Sequence, residues 1–357
     1  MSTEAKLSQI RNISDFPVLE RFASVLWRSD NSFHGAAVMV GAGFSRCSAN
    51  SGDATKKLPL WFDLSNVLQK ELKSEGTDPL RIAEEYSAYF GKQALNELIK
   101  KELNDSAWFP GQLHNELLEL PWTEVLTTNW DSLLERASDR LQERFYNLVN
   151  RQEDLSSARS PRIVKLHGTV NVTNELIFTQ EDYRTYPASH AAFVNFARQV
   201  FIENELCLIG FSGDDPNFLQ WAGWVRDHLS NSARKIYLVG ALGLTAAKRK
   251  YLESMNIAPI DLTELVTQYD DIDLKHQKAS EIFLAALKAL KPEPIWNWRP
   301  STLNYKAGVK EKLLSLMKDR NEYPGWLICP PVLRSIYINQ LYDSSFSTQE
   351  ALLKLED

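Results

Sequence analysis

Ala37-Val38-Met39-Val40-Gly41-Ala42-Gly43-Phe44-Ser45 is the stretch from which the fold of this chain can be read. From Ala36 to Val40 the residues are small or β-branched with no polar alternation, the pattern of a central strand covered on both faces. Gly41 and Gly43 then permit a tight turn and close approach of the backbone to a ligand. Two N–H groups left free at such a turn attract phosphate oxygens. The expectation is a buried strand, a glycine turn and an exposed serine at Ser45, with a nucleotide site as the functional reading. The competing reading is steric, because short Gly-x-Gly turns also end strands without binding anything.

The same strand, turn and helix pattern recurs downstream. A second strand is predicted over residues 124–128, ending at Asn129-Trp130-Asp131 before a helix over 132–141. A third, over 162–166, ends at His167-Gly168. A fourth, over 205–209, ends at Gly210-Phe211-Ser212-Gly213-Asp214-Asp215-Pro216, where Pro216 suits the first turn of a helix and Asp215 its cap. A fifth, over 235–239, ends at Gly240. Strands alternating with helices predict an α/β fold: a doubly wound, mostly parallel sheet with all of these turns at one edge. In such sheets ligands bind in the crevice outside the carboxyl ends of the strands.

Around this frame, apolar spacing predicts a helix over 15–27 leading into the first strand and another over 281–290. Residues 46–57 are rich in Ser, Asn and Gly and read as a flexible loop near the glycine turn, a connector or a mobile cover over a ligand. Helical patterns dominate from Trp61 to Leu103 and form an inserted module, about 62–107. The proline- and tryptophan-rich run from Lys291 to Pro300 marks a boundary. The expected organisation is a catalytic domain over 1–290 and, over 291–357, a linker and the start of a mainly helical C-terminal extension. The chain stops at Asp357 in or just after an amphipathic segment, as a piece of a longer protein would.

The chain has 357 residues, 44% hydrophobic and 24% charged, with a formal net charge of -6. That balance is ordinary for a soluble globular protein and argues against nucleic acid as a direct ligand, which calls for a basic face. No apolar run resembles a signal peptide or a membrane span, so the expected location is the cytoplasm. Cys47, Cys207 and Cys329 are isolated, which suits a reducing compartment and supplies no four-cysteine zinc site. Each strand-end residue also has an ordinary explanation. Asn129 could cap the following helix, Asp131 could complement its dipole, His167 could be a turn histidine bonded to backbone, and Ser212 a loop hydroxyl. The functional reading rests on their convergence at one sheet edge.

Four segments in order, Gly41-Ala42-Gly43-Phe44-Ser45, Thr127-Thr128-Asn129-Trp130-Asp131, Lys165-Leu166-His167-Gly168 and Gly210-Phe211-Ser212, resemble the signature segments of the sirtuin superfamily. The resemblance runs from about Ala36 to Asp261 and implies a Rossmann-like domain with NAD as substrate. It implies that Gly41, Ala42, Gly43, Phe44 and Ser45 hold the pyrophosphate and that Asp131 lies in the nicotinamide pocket. Gly210 and Ser212 would line the phosphate or adenosine side, and Asn129 and His167 would match the catalytic pair.

Two departures narrow that implication. The paired cysteines of the zinc ribbon of deacylating sirtuins are missing, and Pro59-Leu60-Trp61 stands where they carry Pro-Asp-Phe-Arg. The helical insertion, Thr-Thr-Asn-Trp-Asp and Gly-Phe-Ser-Gly-Asp-Asp-Pro-Asn are similar instead to sirtuin-like NADases of bacterial antiphage defence. The segment from Trp296 to Arg334 resembles the one adjoining the C-terminal end of such a domain in larger defence proteins. The expected function is therefore a regulated NAD+ glycohydrolase with no metal, assembled as a homo-oligomer and answering to a protein activator or associated defence subunit. The alternatives are a deacylase or ADP-ribosyl transferase of sirtuin type, and a sensor that binds NAD or ADP-ribose without turnover.

Overall fold

The computed structural model describes residues 10–28, 35–52, 56–73, 76–173, 176–211, 213 and 215–292. Ser212 and the segments expected to be helical beyond Pro300 lie outside these residues. The first helix, α1 (Phe16–Leu26), starts with Pro17 in its first turn and turns Leu19, Phe22, Ala23 and Leu26 inward. Strand β1 (Ala36–Val40) follows, and all five of its residues are buried. A four-residue helical turn, α2 (Ala42–Ser45), leads to the short strand β2 (Ala49–Asn50).

Next come three helices, α3 (Trp61–Leu72), α4 (Pro79–Phe90) and α5 (Lys92–Leu103), then strand β3 (Trp108–Phe109) and helix α6 (Gln112–Leu118). Strand β4 (Val125–Thr127) is followed by α7 (Leu133–Ser138), β5 (Asn147–Val149) and β6 (Arg162–Lys165). Helices α8 (Gln180–Ser189) and α9 (Ala191–Glu203) precede β7 (Glu205–Ile209) and α10 (Pro216–Leu229). The order closes with β8 (Ile236–Gly240), α11 (Ala246–Ser254), β9 (Ile257–Asp261) and α12 (Ile272–Ala289).

Seven strands form one sheet in the order β5-β6-β4-β1-β7-β8-β9, and every neighbouring pair is parallel. The chain builds outward from β1 on the β4 side, then crosses to the other side at β7. The switch point therefore lies between β1 and β7, the position whose carboxyl edge takes ligands in open α/β sheets. Alternate residues of β1 serve two cores. Ala36, Val38 and Val40 face α1, α6 and α12 through Phe22, Leu117 and Phe283, while Ala37 and Met39 face α8, α9 and α10 through Tyr186, Val200 and Phe218. With neither face wet, polar positions disappear from the strand, which is why it reads as a continuous apolar run. A third core, built on Leu68, Ala83, Leu95 and Ile99 of α3, α4 and α5, packs against Trp130 and Phe178.

Several expectations needed revision. Strands β5 and β9 are absent from the sequence reading: β5 is only three residues long, and Pro259 interrupts the pattern of β9. Helix α7 ends at Ser138 rather than Leu141, whereas α12 begins at Ile272, nine residues before the predicted start. The Asp271 carboxylate accepts from the Leu274 N–H and caps that earlier start. The expected loop over 46–57 is tied down at both ends. Ala49 and Asn50 pair with Phe109 and Trp108, Arg46 bridges Asp63 and Asp273, and Lys57 pairs with Asp271 and Asp273. Among the described residues no helix is long and apolar enough to cross a membrane.

Candidate functional site

The ends of β6, β4, β1 and β7 stand side by side at the carboxyl edge and carry the predicted residues in that order. At the β1–β7 junction the backbones touch. A Cβ placed on Gly41 would lie 2.8 Å from the Phe211 Cα, and one on Gly43 3.0 Å from the Gly210 carbonyl oxygen. Gly210 has φ +60, and a Cβ there would lie 2.6 Å from the Phe44 Cβ. These glycines are thus required by contact between the two strand ends. Their amides are also committed, which corrects the expectation of two free N–H groups. Gly41 donates to the Ile209 carbonyl and Gly43 to the Gly210 carbonyl, both at 3.0 Å. Phe44 donates to Gly41, leaving the Ala42 N–H without an acceptor among the described residues.

One strand over, β4 delivers a hydrogen-bonded row. Thr127 Oγ1 donates to the Val40 carbonyl at 2.8 Å and accepts from the Asn129 N–H at 3.1 Å, pinning the turn to β1. The Asn129 amide donates through Nδ2 to Ser45 Oγ at 2.9 Å, and Ser45 Oγ donates to Asp131 Oδ2 at 2.8 Å. Ser45 is buried rather than exposed, because this row closes over it. Asp131 Oδ1 accepts from the Leu133 N–H at the start of α7, so its ordinary helix role holds alongside the row. Asn129 does not cap that helix.

Beneath the turn, the buried Lys165 ammonium donates to the Asp131 carbonyl oxygen and pairs with Glu135 Oε1 at 3.1 Å. Burial pushes the Glu135 carboxyl up, and the Lys165 charge opposes that shift. His114 is also buried, with its ring 5.1 Å from that of Phe44 and neither ring nitrogen hydrogen-bonded. Desolvation drives its pKa down to about 4, opposed by the Asp131 charge.

His167 sits at the end of β6, joined to β4 through the Leu166 N–H and the Thr127 carbonyl. Its Nε2 lies 3.0 Å from Asn217 Nδ2, at the start of α10. The rings of Tyr183 and Tyr186 meet it edge-on at 5.3 and 5.7 Å. Burial lowers the His167 pKa, partly offset by the Asp215 charge, so the ring is neutral at neutral pH. Among the described residues no hydrogen bond joins His167 to Asn129. The two occupy adjacent strand ends as separate polar groups, with exposures of 2% and 8%. Sequence reading missed Asn217, Lys165, Glu135 and His114 as neighbours of the site. Lys165 and Glu135 stand close in sequence to His167 and Asp131 but gave no sign of their pairing, and no spacing signal links Asn217 to His167, 50 residues away. Among the described residues no three His, Cys, Asp or Glu side chains converge to hold a metal.

A family model described as a SIR2-like domain matches residues 123–260, which include the Asn129, His167 and Gly210 strand ends but not the Gly41 turn. The NAD(+) hydrolase ThsA of Acinetobacter baumannii is 27% identical over 214 residues, 59% of this chain and 42% of that protein. Defense-associated sirtuin 2 of Bacillus subtilis is 22% identical over 285 residues, 75% of this chain and 27% of that protein. The chain thus spans less than half the length of these curated relatives. A solved Sir2 homologue in complex with NAD aligns over 78% of this chain at 13% identity with a TM-score of 0.42, too distant to add to the topology read from the strands. Residues 123–260 thus match a SIR2-like domain, and the chain is distantly similar to the ThsA NAD(+) hydrolases and the defense-associated sirtuins.

Proposed function

We propose that the chain cleaves the bond between nicotinamide and ribose in NAD+ with water as acceptor, giving nicotinamide and ADP-ribose. The setting we infer is depletion of cellular NAD in antiphage defence. The observation that carries the reading is the Asn129–Ser45–Asp131 row on the strand beside the one that ends in His167, in a chain whose relatives are named NAD(+) hydrolases.

Nicotinamide leaves a cationic ring as a neutral molecule, so the leaving group needs no acid. The demand is for stabilisation of positive charge at the ribose carbon and delivery of a nucleophile. Asn129 cannot titrate; its amide offers a donor and an acceptor to orient ribose or water. His167, neutral at neutral pH, is available as a base for a ribose hydroxyl or for water.

What supports a dinucleotide at the switch point is the Ala42 amide, an open donor on the turn that Phe44 and Ser45 continue, where Gly41, Gly43 and Gly210 let the two strand ends meet. In this reading Asp131 faces nicotinamide, and Ser212, outside the described residues, lines the phosphate or adenosine side. Asn129 and His167 are both buried, which supports an enzyme silent until triggered. Self-assembly and a protein activator belong to the same proposal, supported by the exposed Phe62, Tyr89 and Phe90 on α3 and α4.

The test is nicotinamide release from NAD+ by the purified chain with its activating partner. Asn129→Ala and His167→Ala are each expected to lower turnover on the order of a hundredfold or more while leaving binding nearly intact. Folded variants that consume NAD+ as fast as the parent would overturn the assignment. Dependence on an acyl peptide would identify deacylation, and binding without release a sensor.

A further inference from the structure

The segment Asp215-Pro216-Asn217 lies at the start of α10, on a different strand connection from His167, yet its side chains converge on that ring. Asp215 Oδ1 accepts from the Phe218 N–H at 3.0 Å and caps the helix. Its Oδ2 accepts from the Tyr183 hydroxyl at 3.0 Å, and the Tyr183 ring meets the imidazole edge-on. The cap holds α10 in place, and Asn217, with only 2% of its surface exposed, lies against Nε2. An asparagine buried this deeply needs partners for its amide, and the imidazole supplies one. The charged and titratable groups around the ring are Asp215 before α10, Asp182, Tyr183 and Tyr186 on α8, and His190 between α8 and α9.

We propose that Asn217 is the positioning residue of His167, bonding Nε2 in either tautomer so that the ring keeps one orientation and Nδ1 is left to exchange a proton with the substrate. The catalytic part of this statement rests on the function proposed above; the effect on the ring does not. With Nδ2 donating to Nε2, the neutral ring carries its proton on Nδ1 and presents a donor. A half-turn of the amide places Oδ1 opposite Nε2, moves the ring proton to Nε2 and leaves Nδ1 as a base. An amide can serve both states at the same contact, because it carries a donor and an acceptor on one carbon. A carboxylate or an alkyl group in its place cannot.

The experiment uses the full chain, which has six histidines, and follows the imidazole nitrogens by NMR against pH. The His167 signals are identified by their loss in His167→Gln. In Asn217→Asp the carboxylate only accepts, so Nε2 must carry the proton, and the His167 midpoint is expected to rise by about 1 to 2 pH units. In Asn217→Leu the midpoint stays at or below that of the parent, and the nitrogen shifts report a mixture of tautomers. In a preparation of the parent chain that releases nicotinamide from NAD+, Asn217→Leu is expected to lower kcat about a hundredfold with KM little changed. The pH profile of Asn217→Asp should move with its NMR midpoint. Thermal unfolding establishes that both variants are folded. The same tautomer and midpoint in parent, Asp and Leu proteins would reduce Asn217 to a structural residue and overturn the proposal. A ring that responds as expected in a protein that never releases nicotinamide would uphold the positioning role and overturn the proposed function instead.

Discussion

His114 shows how a single buried ring near the site ties stability to pH. Both its nitrogens are unpaired in a space beside Phe44, so the folded protein resists protonating it and its pKa falls from 6.5 to about 4. Above pH 6.5 neither the folded nor the unfolded chain carries the proton. Between there and pH 4 the unfolded chain takes up a proton that the folded chain does not, so stability declines as pH falls. The decline saturates below pH 4 at up to about 3 kcal/mol. Replacing the ring by an apolar group, His114→Leu, removes at most a weak contact with the Gly111 backbone and is expected to flatten the fall in Tm between pH 7 and pH 5. Parallel losses in parent and variant would place the acid sensitivity elsewhere, with His167 the next candidate, since burial lowers its pKa too.

Between elements, the polar contacts show what keeps the turn after β4 in place. Asp105, in the short helical turn after α5, accepts from the Ser132 N–H at 2.8 Å and the Ser132 hydroxyl at 2.6 Å. It also accepts from Asn171 Nδ2 at 2.7 Å and pairs with Arg136 at 3.4 Å. One buried carboxylate thus joins the three-helix module, the start of α7 and the segment after His167. Asp105→Ala would leave several buried donors unpaired, and a loss of about 3 kcal/mol is expected. The measurement is urea unfolding, with a lower midpoint at unchanged slope. Asp105→Asn, which keeps an acceptor for Ser132, should lie between parent and Ala. Sequence reading treated Asp105 as part of an insertion and offered no partner for it, because its partners lie 27 to 66 residues away.

Over the whole described molecule, three cores close within the residues up to Leu287, and the sheet has its seven strands by Asp261. A chain ending at Lys291 is accordingly expected to unfold in one cooperative urea transition with its aromatic circular dichroism intact; loss of that signal would mean that later residues complete the core. The buried strands and the helices with strong apolar faces were legible in the sequence because burial on two faces or one leaves a local period. Strands β1 and β7 have the ends read from the sequence, Ala36–Val40 and Glu205–Ile209. Short β5 and proline-bearing β9 were not legible, since they become strands only by pairing with β6 and β8. The sequence by itself determined which polar groups fall at strand ends, and parallel pairing brings those ends to one edge. Only the tertiary structure decided what each group does there. The glycine amides are consumed by β7, Ser45 is turned inward between Asn129 and Asp131, and His167 is paired with an asparagine from a distant helix. The physical reason is that a hydrogen bond depends on the position of two groups in space, and a strand pattern specifies only one of them.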